Sequence, residues 1–151
     1  MIRLVNEAYE ILRNRNLQWL WYGILHIDTK SSEGLGAKGA AWYNIDSDKF
    51  GLNQFKNAPR NLAHEMGHRF WFKYMTESER AEFASQFGNV PAVTEYGKTD
   101  AEEDFAEVFA HYVDGKDMKR NQLERFKKYL ENHKRRHSSM KQVIATLKSL
   151  I

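Results

Sequence analysis

The chain has 151 residues, of which 42% are hydrophobic and 13% aromatic, and its 23 basic and 20 acidic side chains leave a net charge of +3. This composition can bury one sizeable core, so we expect a single domain over residues 1–151 and no second domain. The absence of cysteine excludes disulfides and thiolate zinc sites, so any metal would have to be held by histidine and carboxylate side chains.

Residues 1–16 are predicted to form an amphipathic helix, with apolar residues at helical spacing and charges between them. This segment lacks the continuous apolar core of a signal peptide, and no stretch of the chain approaches the length of a transmembrane helix. We therefore expect a cytoplasmic protein with no membrane partner. The sequence leaves secretion by a non-classical route open.

Three segments in the first third of the chain are predicted to be strands. Residues 18–28 are rich in tryptophan, tyrosine, isoleucine and leucine, and a glycine-containing loop follows over residues 31–39. Residues 41–46 and 49–53 are predicted to form a hairpin around Ser47-Asp48. With the helices described below, these strands predict an α+β fold containing a small mixed sheet of at least three strands.

The most informative motif, H-E-x-x-H, occupies residues 64–68. On an α-helix, positions i and i+4 lie one above the other, so His64 and His68 can bind one metal ion from the same side. Glu65 lies about 100° round the helix from His64, close enough to reach a metal-coordinated water without becoming a ligand. This arrangement is typical of the general base of a zinc-dependent hydrolase. A solvated His/Glu pair on an exposed helix is the ordinary alternative.

The residues around this motif favour a helix. Asn57 is a suitable N-cap, Pro59 suits a first helical turn, and residues 60–75 contain neither a further proline nor a β-branched run. Gly67 is the weak helix former inside the segment, at a cost of roughly 1 kcal/mol relative to alanine. Its position between the histidines predicts that another part of the backbone or a substrate passes close by.

A short surface helix over residues 78–83 and a loop over residues 89–97 are predicted next. A longer helix is then predicted from about residue 100 to 114, because Thr99 and Asp100 are good N-caps and a glutamate follows three residues on. One face of that helix carries its large apolar side chains, which are Phe105, Val108, Phe109 and Tyr112. The opposite face carries acids and small residues, which are Glu103, Ala106, Glu107 and Ala110.

Glu103 is the predicted third metal ligand, since catalytic zinc usually takes three protein ligands and the alanine-rich face could pack closely on the His64 helix. Glu107 lies past the first helical turn, where the preference for acids no longer applies. A carboxylate that accepts an N–H from a ligating histidine would explain an acid at this position. Glu102 is explained by the preference for acids in a first turn. His111 continues the same face and is the competing metal ligand, although a partly exposed histidine without a metal contact is commoner.

Three segments together resemble the catalytic domain of anthrax lethal factor and its relatives, which are gluzincin peptidases. They are the motif at residues 64–68, the segment Tyr96-Gly97-Lys98-Thr99, and the segment from Glu103 to Phe109. The resemblance covers roughly residues 40–112. The chain departs from the family pattern in its shorter segment before the ligand glutamate, in Asp104 where an aromatic residue is expected, and in having no toxin domains, so the substrate is left open.

The resemblance implies a division of work within the site. His64, His68 and Glu103 would bind one zinc ion, and Glu65 would activate the attacking water. Tyr96 would donate a hydrogen bond to the developing oxyanion, with a turn aromatic packed on the surface as the alternative.

The resemblance also assigns Glu107 to a position that supports a ligand histidine from outside. In gluzincins a strand at the sheet edge binds the substrate antiparallel through main-chain hydrogen bonds, which implies this task for residues 41–45. Ala41, Trp42 and Tyr43 are therefore candidate substrate-binding residues. Ordinary membership of the sheet and core is the alternative.

The segment after residue 115 is strongly basic, with eleven lysine or arginine residues against three acids, a local charge of +8 that leaves −5 for the rest of the chain. Such asymmetry invites a nucleic-acid-binding interpretation. The apolar residues keep helical spacing, however, at Leu123, Phe126, Leu130, Met140, Val143, Ile144 and Leu147. Two amphipathic helices covering the core are therefore predicted, with their charges in solvent.

The sequence as a whole predicts a zinc metalloendopeptidase of gluzincin type that acts on a protein or peptide substrate. Two alternatives from other classes are a basic nucleic-acid-associated module, which is not favoured, and a zinc-containing interaction protein without turnover. The oligomeric state, the peptide specificity and any control by a propeptide or partner are left open.

Overall fold

The structure is a computed structural model that describes residues 2–21, 27–28, 40–52 and 56–150. It is a mixture of helix and sheet and is mostly helical, which confirms the predicted mixture. In chain order the elements are helix α1 (Ile2–Asn14), strands β1 (Ile27–Asp28), β2 (Ala41–Asn44) and β3 (Lys49–Leu52), and helices α2 (Ala58–Arg69), α3 (Glu77–Ala84), α4 (Ala101–Val113) and α5 (Arg120–Ser149).

The predicted N-terminal helix is α1, which buries Ala8 and Leu12. The prediction of a strand from residue 18 is wrong for Gln18–Trp21, which form a turn of 3₁₀ helix. Trp19 in this turn is buried against Phe70, and a short apolar run suits such a buried turn as well as a strand. Residues 22–26 and the predicted loop at 31–39 lie outside the described residues.

The predicted hairpin is present as the antiparallel pair of β2 and β3, in which Ala41 pairs with Leu52 and Asn44 with Lys49. Asp48 in the connecting turn has a φ of 51°, a left-handed conformation that aspartate tolerates at turns. β1 runs parallel to β3, so the strand order is β1-β3-β2. One edge of β2 therefore has no neighbour among the described strands.

An ion-pair network fastens α2 to this hairpin. Arg69, whose side chain is fully buried, donates from Nε to Asp48 Oδ1 at 2.7 Å and from Nη2 to Asp48 Oδ2 at 2.8 Å. Lys73 and the Tyr43 hydroxyl also donate to this carboxylate. Partial burial by itself raises the pKa of Asp48, but these three donors outweigh it and hold the pKa well below its usual range.

α2 begins at the predicted N-cap but ends earlier than predicted. Asn57 occupies the N-cap position with a φ of 56°, and its side chain makes no capping hydrogen bond. The helical chain continues beyond Arg69, but as a π-helical turn over Phe70–Tyr74. The short surface helix predicted downstream is α3, which Thr76 caps by accepting from the Glu79 backbone N–H.

The predicted glutamate helix is α4. Asp100 is its N-cap and accepts a hydrogen bond from the Glu103 backbone N–H at 2.9 Å. The Glu103 side chain does not return to the cap and instead points toward α2. The apolar face of α4 joins the core through Phe105, whose ring centroid lies 5.5 Å from that of Phe70 and 5.4 Å from that of Phe126.

The C-terminal segment is one helix of 30 residues, so the prediction of two helices is wrong. No glycine or proline interrupts the sequence from residue 120 onward, which leaves the helix without a breaking signal. Phe126 and Leu130 are fully buried and cover the core, as predicted. Met140 and Leu147, by contrast, are 57% and 55% exposed, so the last turns of α5 do not cover it. Among the described residues, no helix combines the length and apolar character needed to cross a bilayer.

Candidate metal centre

The two motif histidines lie one helical turn apart on α2 and turn their rings toward each other. Their Nε2 atoms are 3.0 Å apart, and both residues are 8% exposed. Two buried imidazole nitrogens at this distance either share a proton or face a common cation. The predicted convergence of His64 and His68 is therefore present.

Glu103 reaches the same point from α4. Its Oε2 atom lies 3.1 Å from His64 Nε2 and 3.4 Å from His68 Nε2. Tetrahedral ligands at zinc–nitrogen and zinc–oxygen distances of about 2.0–2.1 Å would be about 3.3 Å apart. The three separations match this spacing, so the donor set fits one small divalent ion. Among the described residues, this is the group of acids and histidines able to hold one.

Gly67 explains how α4 comes so close to α2. A Cβ at position 67 would lie 2.7 Å from the Cα of Ala106, closer than real carbon atoms approach. This contact is the close backbone approach that the sequence predicts. Glycine and alanine at the crossing therefore bring Glu103, which lies one turn earlier on α4, within reach of the histidines.

Each histidine has a carboxylate on its other ring nitrogen. Glu107 Oε1 lies 2.8 Å from His64 Nδ1, which is the contact predicted for Glu107. Glu102 Oε1 lies 2.8 Å from His68 Nδ1. Sequence reasoning attributed Glu102 to the helix dipole and missed this contact. The requirement that each ligating imidazole have its own acceptor was the signal that could have indicated a second acid.

Arg60 was also missed by the sequence analysis. Its Nη2 atom donates to Glu107 Oε2 at 2.8 Å, which holds the carboxylate between a guanidinium and His64. Burial alone raises the pKa of Glu107, but the hydrogen bonds with His64 and Arg60 dominate and lower it to about 2. Arg60 lies one turn before His64 on α2, so no local motif marks it.

The acids around the histidines favour positive charge between them. Burial by itself lowers the pKa of His68, but its contacts with Glu102 and Glu103 outweigh burial and raise that pKa to about 10. The pKa of His64 is raised in the same way, by Glu103 and Glu107 against the effect of burial. A site that stabilises imidazolium charge also attracts a metal cation.

Glu65 lies beside these groups and lines a cleft of about 370 Å³ together with His64, Tyr96 and Ala41. Its side chain is buried, and burial is the main cause of a raised pKa, to which Glu103 adds and which the histidines oppose. A carboxylate with a raised pKa in a cleft is suited to acid–base chemistry.

Tyr96 lies in a turn of 3₁₀ helix, Tyr96–Lys98, at the edge of this cleft. Its hydroxyl donates to Glu103 Oε1 at 3.1 Å, and its ring centroid lies 5.8 Å from that of His64. Partial burial and the neighbouring Glu103 charge raise the pKa of Tyr96 to about 12, so the phenol keeps its proton at neutral pH. The spacing of seven residues to Glu103 thus places the hydroxyl next to the candidate metal ligands.

The candidate substrate strand is only partly at the cleft. Ala41 lines it. The indole of Trp42 instead lies over Gly51, its partner on β3. A Cβ at position 51 would overlap this ring. Tyr43 packs on Phe50 at 4.9 Å between ring centroids. Packing within the sheet accounts for both aromatic side chains, in keeping with the alternation of side chains along a strand.

His111, the competing ligand, does not join the converging donors. Its Nδ1 atom lies 3.1 Å from the backbone carbonyl oxygen of Glu107 on its own helix. His111 lies two turns farther along α4 than Glu103, which is the residue that points at the histidines.

No family model matches this chain, and no curated protein and no solved structure matches it either. The geometry of the site and the H-E-x-x-H motif are therefore the features that indicate a function.

Proposed function

We propose that this protein is a zinc-dependent endopeptidase of the gluzincin type, with the zincin-like arrangement of a small sheet against an active-site helix that the lethal factor resemblance implies. The observation that carries the proposal is the convergence of one donor atom each from His64, His68 and Glu103 at zinc-ligand spacing. The H-E-x-x-H spacing and the cleft beside it support the same conclusion.

In this proposal His64, His68 and Glu103 hold the zinc ion, and Glu102 and Glu107, each 2.8 Å from an outer imidazole nitrogen, orient the two rings. When bound, zinc would polarise the scissile carbonyl and lower the pKa of a coordinated water. Three protein ligands suit a catalytic rather than a structural zinc site, because structural sites usually have four.

Glu65 is the proposed general base. It takes the proton of the attacking water and later delivers it to the leaving amine, and its buried position supports this role by raising its pKa. Tyr96 donates a hydrogen bond to the oxyanion as the carbonyl carbon becomes tetrahedral. Its position beside Glu103 at the cleft edge supports this role.

The proposed substrate is a protein or peptide in extended conformation. The edge of β2 without a neighbour among the described strands, together with Ala41 in the cleft lining, favours main-chain pairing of a peptide along residues 41–45. Pairing through the backbone gives affinity without requiring Trp42 or Tyr43 to form side-chain pockets.

The test is the substitution Glu65→Gln, which keeps the size of the side chain and removes its basicity. We expect the variant to bind zinc like the parent and to lose at least about 100-fold in the rate of peptide cleavage. Glu95→Gln is the matched control, since Glu95 is an exposed acid near Tyr96 that pairs with Lys98. Cleavage of a diverse peptide library, with and without chelator, measures the rate.

Each alternative predicts a different result. Zinc bound by the parent with no cleavage of any library peptide would favour a non-catalytic interaction protein. Cleavage by Glu65→Gln at the parent's rate would contradict the assignment of the base. Binding of DNA that weakens steeply with salt would favour the nucleic-acid-associated module.

A further inference from the structure

Behind the metal-binding atoms, α5 makes a buried ion pair with the first turn of α4. Arg125 Nη2 lies 2.6 Å from Asp104 Oδ2, and the two side chains are 2% and 1% exposed. Asp104 directly follows the proposed ligand Glu103. The ion pair therefore contacts α4 at the residue next to Glu103, whose side chain reaches the histidines.

An aromatic ring lies against this pair. The Arg125 guanidinium lies over the ring of Phe83, 4.6 Å from its centroid. Removing two charges from water costs free energy that a buried pair only partly recovers, and apolar residues of similar volume often stabilise a fold as well or better. Stability alone is therefore a poor reason for an aspartate and an arginine at these positions, whereas an electrostatic contact that sets the position of α4 is a better one.

The same face of α5 also holds the loop that carries Tyr96. Gln122, 5% exposed, donates from Nε2 to the Pro91 carbonyl oxygen at 2.7 Å. At the other end of the loop, Gly97 packs against Asp104. A Cβ added at position 97 would lie 3.4 Å from the Asp104 Cα. The loop is thus fixed between α5 and the first turn of α4.

We infer that Arg125 and Gln122 of α5 are positioning residues that set the separation between Tyr96 and Glu103 in the site. Arg125 acts on Glu103 through Asp104, and Gln122 acts on Tyr96 through the loop from Pro91. The contact of 3.1 Å between the Tyr96 hydroxyl and Glu103 is the geometry that they maintain. This inference rests on the proposed function of the site.

The first test uses Asp104→Asn, which removes the charge of Asp104 at constant size, with Co²⁺ as a spectroscopic replacement for zinc. We expect the Co²⁺ dissociation constant to rise about tenfold, the loss typical of groups that orient ligands, and the visible absorption of bound Co²⁺ to change. The control is Leu130→Ala, which opens a cavity at a fully buried position of α5 away from this pair. It should lower the melting temperature and leave Co²⁺ affinity and absorption at parent values.

If Asp104→Asn does not fold, the double variant Asp104→Leu with Arg125→Met replaces the pair by apolar side chains and is tested in the same way. Parent-like Co²⁺ affinity and absorption in a folded variant of either kind would overturn the role of Arg125. A parent protein that binds no Co²⁺ would instead remove the metal site itself, and with it the proposed function. The two failures are therefore distinguishable.

The second test uses Gln122→Glu, which keeps an oxygen to accept from the Lys119 backbone N–H but loses the donor to Pro91. We expect kcat to fall by a similar factor in Gln122→Glu and in Tyr96→Phe, with KM and Co²⁺ affinity little changed. Combining the two substitutions should cost no more than Tyr96→Phe alone, because both act through one hydroxyl. Multiplicative losses in the double variant would overturn the role of Gln122.

Discussion

At the scale of single residues, the site is built from pairs in which one side chain fixes another. His64 and His68 each place one ring nitrogen toward Glu103 and the other on a separate carboxylate, Glu107 or Glu102. An acceptor on the outer nitrogen selects the tautomer that leaves the inner nitrogen free to bind a metal. The direction of each imidazole is therefore set by contacts within the protein.

The contact between Glu102 and His68 predicts a measurable effect on metal affinity. Glu102→Gln keeps the size of the side chain but removes the charge, so we expect zinc affinity to fall about 10–100-fold without loss of the fold. Competition with a chromophoric chelator measures the dissociation constant. Glu95→Gln makes the same charge change at an exposed acid, and equal affinities in the two variants would show that the contact does not matter.

At the scale of elements, the site depends on the crossing of α2 and α4. The histidines come from one helix and Glu103 from the other, so the separation of the helix axes decides whether three donor atoms meet. Gly67 and Ala106 make that separation small. The core contacts of Phe105 with Phe70 and Phe126 hold the other side of α4.

Gly67→Ala tests this crossing, and the sign of its effect is informative. Helix propensity alone would stabilise the protein by about 1 kcal/mol. The new Cβ would meet the Ala106 backbone, however, and overpacking of this kind costs about 1–3 kcal/mol. We expect a net loss of stability in urea unfolding, together with weaker zinc binding because α4 moves away. A gain in stability with parent-like zinc affinity would mean that the methyl group fits without moving α4, and that the crossing does not require glycine at position 67.

At the scale of the whole molecule, a metal ion would cross-link two helices that are far apart in the chain. The described part of the chain has a small sheet, and its core lies largely among α2, α4 and α5. A ligand that binds the folded state alone stabilises it by mass action, by about 4 kcal/mol when present at 1,000 times its dissociation constant.

Removal of zinc is therefore expected to lower the melting temperature. For a chain of this size, about 4 kcal/mol corresponds to roughly 10 °C. Thermal unfolding with zinc and with chelator measures the difference. Glu103→Gln should lose most of this difference in melting temperature, since the variant lacks the charged ligand. Glu95→Gln should keep the difference. A melting temperature of the parent that does not depend on zinc would contradict the metal site.

The sequence by itself determined the features that depend on local spacing. H-E-x-x-H on a helix places His64 and His68 together because 3.6 residues make one turn, and Asp100 caps α4 because its side chain reaches an N–H three residues on. The small residue at position 67 likewise indicated a close approach. The predictions of Glu103 and Glu107 used the same periodicity on α4.

Only the tertiary structure decided which faces of separate elements meet. The crossing of α4 and α2 brought Glu102 to His68 and left His111, two turns farther along α4 than Glu103, outside, and no periodicity within one helix specifies that crossing. Arg60 and Arg125 likewise found their partners across long stretches of chain. Side-chain spacing is a property of each helix alone, whereas the contacts between helices depend on the packing of all of them at once.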